Sequence, residues 1–179
     1  MINNSEGKIV FIKISIYCLL VIVLAALSGC REASDSPIDT DLFTYVMTEK
    51  GYEVTDATEE AKERESFFQD TLQNSVVAFS DEYYFVFFEL YENSYAQMVF
   101  RNTQQNLQAT RGSDVTVQSE QSTPYHDVYS FNSEGTYFHL VRVHNIVIFT
   151  HADVEHRNSI KQVLSNFQIK EGDENSFNY

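Results

Sequence analysis

The chain has 179 residues, 43% of them hydrophobic and 14% aromatic, with only two cysteines and a formal charge of −14. Fourteen Phe and eleven Tyr are enough to build a core, which excludes a wholly disordered polypeptide. The acidity excludes a nucleic-acid-binding role, because phosphates demand a basic footprint.

In chain order the first feature is an export signal over residues 1–29. Lys8 and Lys13 precede an apolar run from Ile14 to Leu27, and Leu27-Ser28-Gly29-Cys30 closes it before the polar stretch that opens at Arg31. A positive segment, a short apolar segment and small residues at a cut describe a secretory signal. A membrane-spanning helix needs ~20 apolar residues, and Lys13 shortens this run to about fourteen. Leu27-Ser28-Gly29-Cys30 resembles the lipobox of bacterial lipoproteins. Ser28 and Gly29 are small enough for a membrane-embedded protease, and Cys30 carries the only thiol there that a diacylglyceryl group can alkylate. The resemblance implies cleavage between Gly29 and Cys30, lipid on Cys30 (palmitate among its acyl chains), export, and attachment to the outer face of the cell membrane. Two acyl chains suffice for stable anchoring without a basic patch.

Removal of Lys8, Lys13 and Glu6 with the signal takes the formal charge from −14 to −15. Cys18 leaves with it and Cys30 is lipidated, so neither a disulfide nor a cysteine nucleophile is expected in the mature chain. Residues 30–37 read as a short tether, 38–169 as one domain, and 170–179 as a polar tail.

Within the domain, Ile38, Leu42, Tyr45 and Val46 fall on one helical face, with Asp39 or Thr40 as cap and Gly51 as stop. Tyr52 and Val54 suggest a short strand. Asp56 and Glu59 suggest a capping box opening a helix over 57–72, with Ala61, Phe68 and Leu72 inward. Strands follow at Val76–Ser80 and Tyr83–Tyr91; the second is apolar on both faces and therefore central. Ser94 and Gln97 suggest another capping box, opening a helix with Ala96, Val99, Phe100, Thr103 and Leu107 on one side. Gln108–Thr123 is polar and reads mostly as loop, with an edge strand around Val115 and Val117.

The last third reads as a three-strand meander: Tyr125–Phe131, Thr136–Val143 and Ile146–His151. The expected turns are residues 132–135 and His144-Asn145, where asparagine tolerates positive φ. A final helix carries Ile160, Val163, Leu164 and Phe167 inward. The fold class expected is α+β: a two-layer sandwich, mostly antiparallel, with helices packed on one face. The Arg142–Asn145 hairpin followed by Ile146-Val147-Ile148 is similar to segments of small uncharacterised lipoproteins of Gram-positive bacteria, a resemblance that implies no activity.

The five histidines lie between 126 and 156. The expected turns set His126 opposite Val141 and His139 opposite Val128 and Thr150, so the two rings share a face as diagonal neighbours. Two ligands without a third do not make a zinc site. His151, Glu155 and His156 are spaced H-x-x-x-E-H, which matches neither zincin pattern. The chain has no glycine-rich phosphate loop, no G-x-S-x-G and no C-x-x-C, so no cofactor or metal is expected. Of the meander's two apolar faces, Phe131, Phe138, Leu140, Val147 and Phe149 line one. Tyr137, Val141, Val143, Ile146 and Ile148 line the other, which helices on a single side would leave bare; these five are the candidate interface for a protein partner or a homodimer. The leading functional expectation is a non-catalytic binding domain of the cell envelope; the alternative is an envelope hydrolase using carboxylates with His126 or His139.

Overall fold

The computed structural model describes residues 38–167 and 169. Cys30, the Gly29–Cys30 cleavage position, the tether and the tail 170–179 lie outside the described residues. Helix α1 (Thr40–Glu49) leads into β1 (Glu53–Asp56), α2 (Thr58–Arg64), α3 (Ser66–Thr71), β2 (Leu72–Phe79) and β3 (Tyr84–Leu90). Helix α4 (Asn93–Thr110) then precedes β4 (Thr116–Ser122), β5 (His126–Ser133), β6 (Thr136–Val143) and β7 (Ile146–Asp153). A 3₁₀ turn over Val154–His156 opens the last helix, α5 (Arg157–Ser165).

The strands form one seven-stranded antiparallel sheet in the order β1-β2-β3-β7-β6-β5-β4. Helix α4 carries the chain from β3, in the middle, to β4 at the far edge. The meander then returns strand by strand until β7 pairs with β3. Tyr84–Leu90 is thus central, as its two-sided apolar sequence requires.

Side chains alternate between two cores. Val76, Ala78, Phe85, Phe87, Val128, Tyr137, Val141, Ile146 and Ile148 face α1 and α5, meeting Phe43, Met47, Ile160, Val163 and Leu164. Leu72, Leu90, Tyr129, Phe131, Leu140 and Val147 face α4, meeting Ala96, Val99 and Phe100, with Ala61, Phe67 and Phe68 of α2 and α3 beside them. The α+β antiparallel sandwich is as expected, but its layering is not, for helices lie on both faces of the sheet. The physical reason is that both faces are apolar, and covering each large aliphatic or aromatic residue gains about 1.5–3 kcal/mol.

Local differences have local causes. Asp39 caps α1 through its Oδ1, which accepts from the Leu42 amide at 2.8 Å, and Gly51 ends it at φ +85°. The buried stripe, however, is Phe43 and Met47, while Leu42 and Tyr45 are exposed. The helix expected over 57–72 breaks at extended Glu65. Its restart turns Phe67 toward Tyr95 and Phe68 onto Phe88. Strand β2 begins at Leu72 rather than Val76, because Leu72 pairs with Leu90. The Ser94 hydroxyl donates to Glu92 rather than closing a capping box. The polar stretch after α4 is strand over Thr116–Ser122, an edge held by pairing with β5 rather than by burial.

The turn between β5 and β6 has two residues, Glu134 at φ +51° and Gly135 at φ +82°, since Ser133 pairs with Thr136. The register is therefore two residues away from that expected of a four-residue turn. His126 faces Val143, and His139 faces Ser130 as well as Thr150. At the next turn positive φ falls on His144. Asn145 serves differently, its Nδ2 donating to the Leu90 carbonyl at 2.8 Å and fastening the turn to the end of β3. Left-handed backbone costs a branched or long L-residue ~1–2 kcal/mol, and asparagine much less. Glu134→Asn should thus stabilise the hairpin by about 0.5–1 kcal/mol, read as a melting temperature about 2–5 °C higher; an unchanged or lower value would refute it.

Candidate functional site

Tyr137, Val141, Ile146 and Ile148 are at most 1% exposed, and Val143 is half-buried against the same core. This candidate interface is therefore interior: α1 and α5 cover the face expected to be bare. Polar substitutions at Val141 or Ile148 would disrupt the core instead of probing a partner.

The opposite face is covered unevenly. Across it runs one cross-strand row fixed by register: Phe79 on β2, Tyr84 on β3, His151 on β7, Phe138 on β6 and Phe131 on β5. The next row contains Val77, Val86, Phe149, Leu140 and Tyr129. Helix α4 buries Phe131, Leu140 and Tyr129. Toward the end of the sheet that holds the β2–β3 turn the covering fails, and Val77, Phe79, Tyr84, Val86, Phe138, Phe149 and His151 are all half-buried. Lone exposed apolar residues need no explanation, but a contiguous half-exposed group does.

The rings hold one another in place. Phe131 stacks on Phe138 with centroids 4.8 Å apart, and Phe138 on His151 at 5.7 Å. Tyr84 meets the His151 ring edge-on at 5.1 Å, and its hydroxyl hydrogen-bonds His151 Nε2 at 2.7 Å. Burial raises the Tyr84 pKa and lowers that of His151. Both groups are therefore neutral near pH 7, and the imidazole tautomer sets which of them donates. Stacking covers facing rings of Phe131, Phe138 and His151, and the half-buried carbon that remains along the row is a surface suited to apolar side chains. Beside Phe131 and Phe138 lies a shallow pocket of about 170 Å³ whose polar wall is Arg111, Ser133 and Glu134. Arg111 donates from Nη1 to the Tyr129 hydroxyl at 3.3 Å.

The histidines do not converge. His139 is fully buried in the α1/α5 core, its Nδ1 hydrogen-bonded with the Tyr137 hydroxyl at 2.9 Å. Burial first, then Lys161, Arg157 and His126, push its pKa down to about 3. His126 lies on the same face, four residues along β5 from Ser130, the residue opposite His139. Its pKa is lowered by burial, with Asp127 opposing and Arg142 adding to the shift. His144 stacks on Tyr125 at the turn, and His156 lies between Glu82 and Glu155. Among the described residues no three His, Cys, Asp or Glu side chains gather as a metal-holding group.

Among the described residues, carboxylates also fail to form the separated pair that general acid–base catalysis uses. A second pocket, about 180 Å³, contains Asp56, Thr58 and Asn74 between α1 and β2. Asp56 accepts from the Thr58 amide at 2.8 Å, and hydrogen bonding from Thr58 lowers its pKa, the signature of a capping carboxylate. Glu89 is buried and accepts from Thr40 Oγ1 and Asn74 Nδ2 at 2.6 and 2.8 Å. These contacts tie α1 to the sheet.

The fold and site thus define an antiparallel α+β sandwich with one sealed face and one half-exposed aromatic face. No protein-family model matches the chain, and no curated protein does. Among solved structures, a GTP binding regulator from Thermotoga maritima is similar at 12% identity and a TM-score of 0.45, covering 72% of this chain and 86% of that one. A likeness of that degree bears on neither the site nor its ligand.

Proposed function

We propose that this chain is an exported, lipid-anchored domain of the cell envelope that binds another molecule through its half-exposed aromatic face and carries out no chemistry. The observation that supports binding is the row Phe79–Tyr84–His151–Phe138, left half-buried while the opposite face is sealed by two helices. An apolar surface of this kind costs solubility unless something covers it in use. The anchor reading is supported by the Leu27-Ser28-Gly29-Cys30 sequence and the short apolar run before it. Among the described residues no helix is long and apolar enough to cross a membrane. The hydrolase alternative draws no support from the geometry, since His139 sits in the core, away from either pocket.

Labelled palmitate fed to the producing bacterium tests the anchor. The native chain should incorporate label and run as the shorter, processed form. Cys30→Ser should take up none and accumulate as the longer precursor; normal processing of that variant would end the lipoprotein reading.

A further inference from the structure

Charge is distributed in a way that hydrophobic packing does not require. Within the seven strands Arg142 is the only lysine or arginine, and it is fully buried and paired with Asp127. Exposed strand charges on the aromatic face are all negative. Glu53 stands on β1 in line with Phe79, and Asp153 stands on β7 one same-face step beyond His151. Glu120 stands on β4 opposite Tyr129, where it is engaged by Gln104 of α4. The β2–β3 turn at that end of the sheet adds Asp81 and Glu82, both exposed.

We infer that the aromatic face receives a basic, apolar segment of a partner protein, its alkyl or aromatic side chains on Val86, Phe149 and the Phe79–Phe138 row and its Lys or Arg side chains on Glu53 and Asp153. The inference rests on the reading of that face as a binding surface and adds the chemistry of the partner. Charge complementarity selects the occupant. A second copy, itself carrying −14, would set Glu53 and Asp153 against their own kind. An anionic lipid surface would be repelled in the same way. Glu53 and Asp153 are three strands apart and offset by one same-face step, ~15 Å at ordinary sheet spacings. An extended segment with bases about four residues apart spans that distance. The steering is electrostatic, so the association rate should fall as salt rises.

The test uses the full chain in non-ionic detergent and a fluorescein-labelled extended peptide repeating Lys-Ser-Leu-Ser, which sets leucines and lysines on one side with the bases four residues apart, with a peptide carrying glutamate in place of lysine as control, followed by anisotropy. The lysine peptide should bind at least tenfold more tightly than the control, and more weakly at 0.5 M salt. Glu53→Lys with Asp153→Lys, both at exposed positions, should weaken it at least tenfold while the melting temperature holds. Val86→Thr with Phe149→Thr should weaken it comparably. Loss on the aromatic variant alone would overturn the basic partner while leaving the face a binding surface. Loss on the charge variant alone, or on neither, would overturn both. Concentration-dependent dimerisation abolished by the aromatic variant would replace the partner by a second copy.

Discussion

Replacing Arg142 with methionine should destabilise the domain by about 3–5 kcal/mol, the usual cost of stranding one half of a buried ion pair. Arg142 is fully buried on β6, its Nε donating to Asp127 Oδ2 across the β5–β6 ladder at 2.5 Å. Its Nη1 donates to Asn93 Oδ1 at 2.5 Å and to the His144 carbonyl at 3.3 Å. Its Nη2 donates to the Thr123 and Pro124 carbonyls at 3.1 and 3.2 Å. One guanidinium thus ties the start of α4, the β4–β5 connection and the β6–β7 turn to the sheet. Methionine keeps much of the volume and none of the donors, leaving Asp127, 2% exposed, with the Ser122 hydroxyl. Against a total of about 5–15 kcal/mol, such a loss approaches unfolding. Asp127→Leu added to Arg142→Met should recover part of it, because the stranded charge disappears while three carbonyls remain short of a donor. Urea titration of both variants decides it: a single variant within 1 kcal/mol of the parent, or a double variant worse than the single, would contradict the argument.

The same residue shows where sequence reasoning loses its hold. A lone arginine inside an apolar strand is visible in the sequence; its partner is not, because pairing depends on the turn. With residues 132–135 as the turn, Arg142 lies opposite Tyr125, whereas the two-residue turn at Glu134-Gly135 sets it opposite Asp127. The sequence Asn132-Ser133-Glu134-Gly135 accommodates either turn length. Full pairing of Ser133 with Thr136, and the Asp127–Arg142 contact itself, favour the shorter one. Elements with strong periodicity were legible: the central strand, the meander, the inward faces of α4 and α5, and Asp39 and Gly51 at the ends of α1. Strand β4 was less so, because Thr116–Ser122 has almost no apolar alternation and owes its form to a neighbour.

Which sheet face stays half-exposed could not be read from strand patterns, since both faces alternate equally well. It depends on where helices land. Phe43 and Met47, rather than Leu42 and Tyr45, turn inward, seating α1 on the same face as α5. Helix α4 packs on β6, β7 and the Leu90 end of β3, and leaves the opposite end of the sheet, at Phe79, Tyr84, His151 and Phe138, under-covered. Phe138 and Phe149 share one apolar face of the meander by sequence alone. Phe79 and Tyr84 join them only through the β3–β7 pairing, between strands about sixty residues apart in the chain, and no local signal marks that pairing.

Mild acid should weaken the fold before its carboxylates titrate. His139, wholly buried, is held at a pKa of about 3 by burial and by Lys161 and Arg157 of α5, with His126 of β5 adding to the effect. In the unfolded chain it titrates near 6.5. Between those values the unfolded state binds a proton that the folded state refuses. The stability is thus complete above about 6.5 and drains away as pH falls toward 3. At pH 5 the loss from this residue is about 2 kcal/mol, from ~1.4 kcal/mol per pH unit. His126 and His151, both shifted downward, add to it with the same sign. Relief of acidic self-repulsion opposes the trend, but most carboxylates take up protons below pH 5. Urea unfolding at pH 7.5 and 5.0 should therefore show a drop of at least 2 kcal/mol in the parent chain. His139→Gln, which keeps a partner for the Tyr137 hydroxyl and cannot charge, should lower stability at pH 7.5 yet shrink the difference between the two pH values. An undiminished difference would mean that His139 is not the group being protonated.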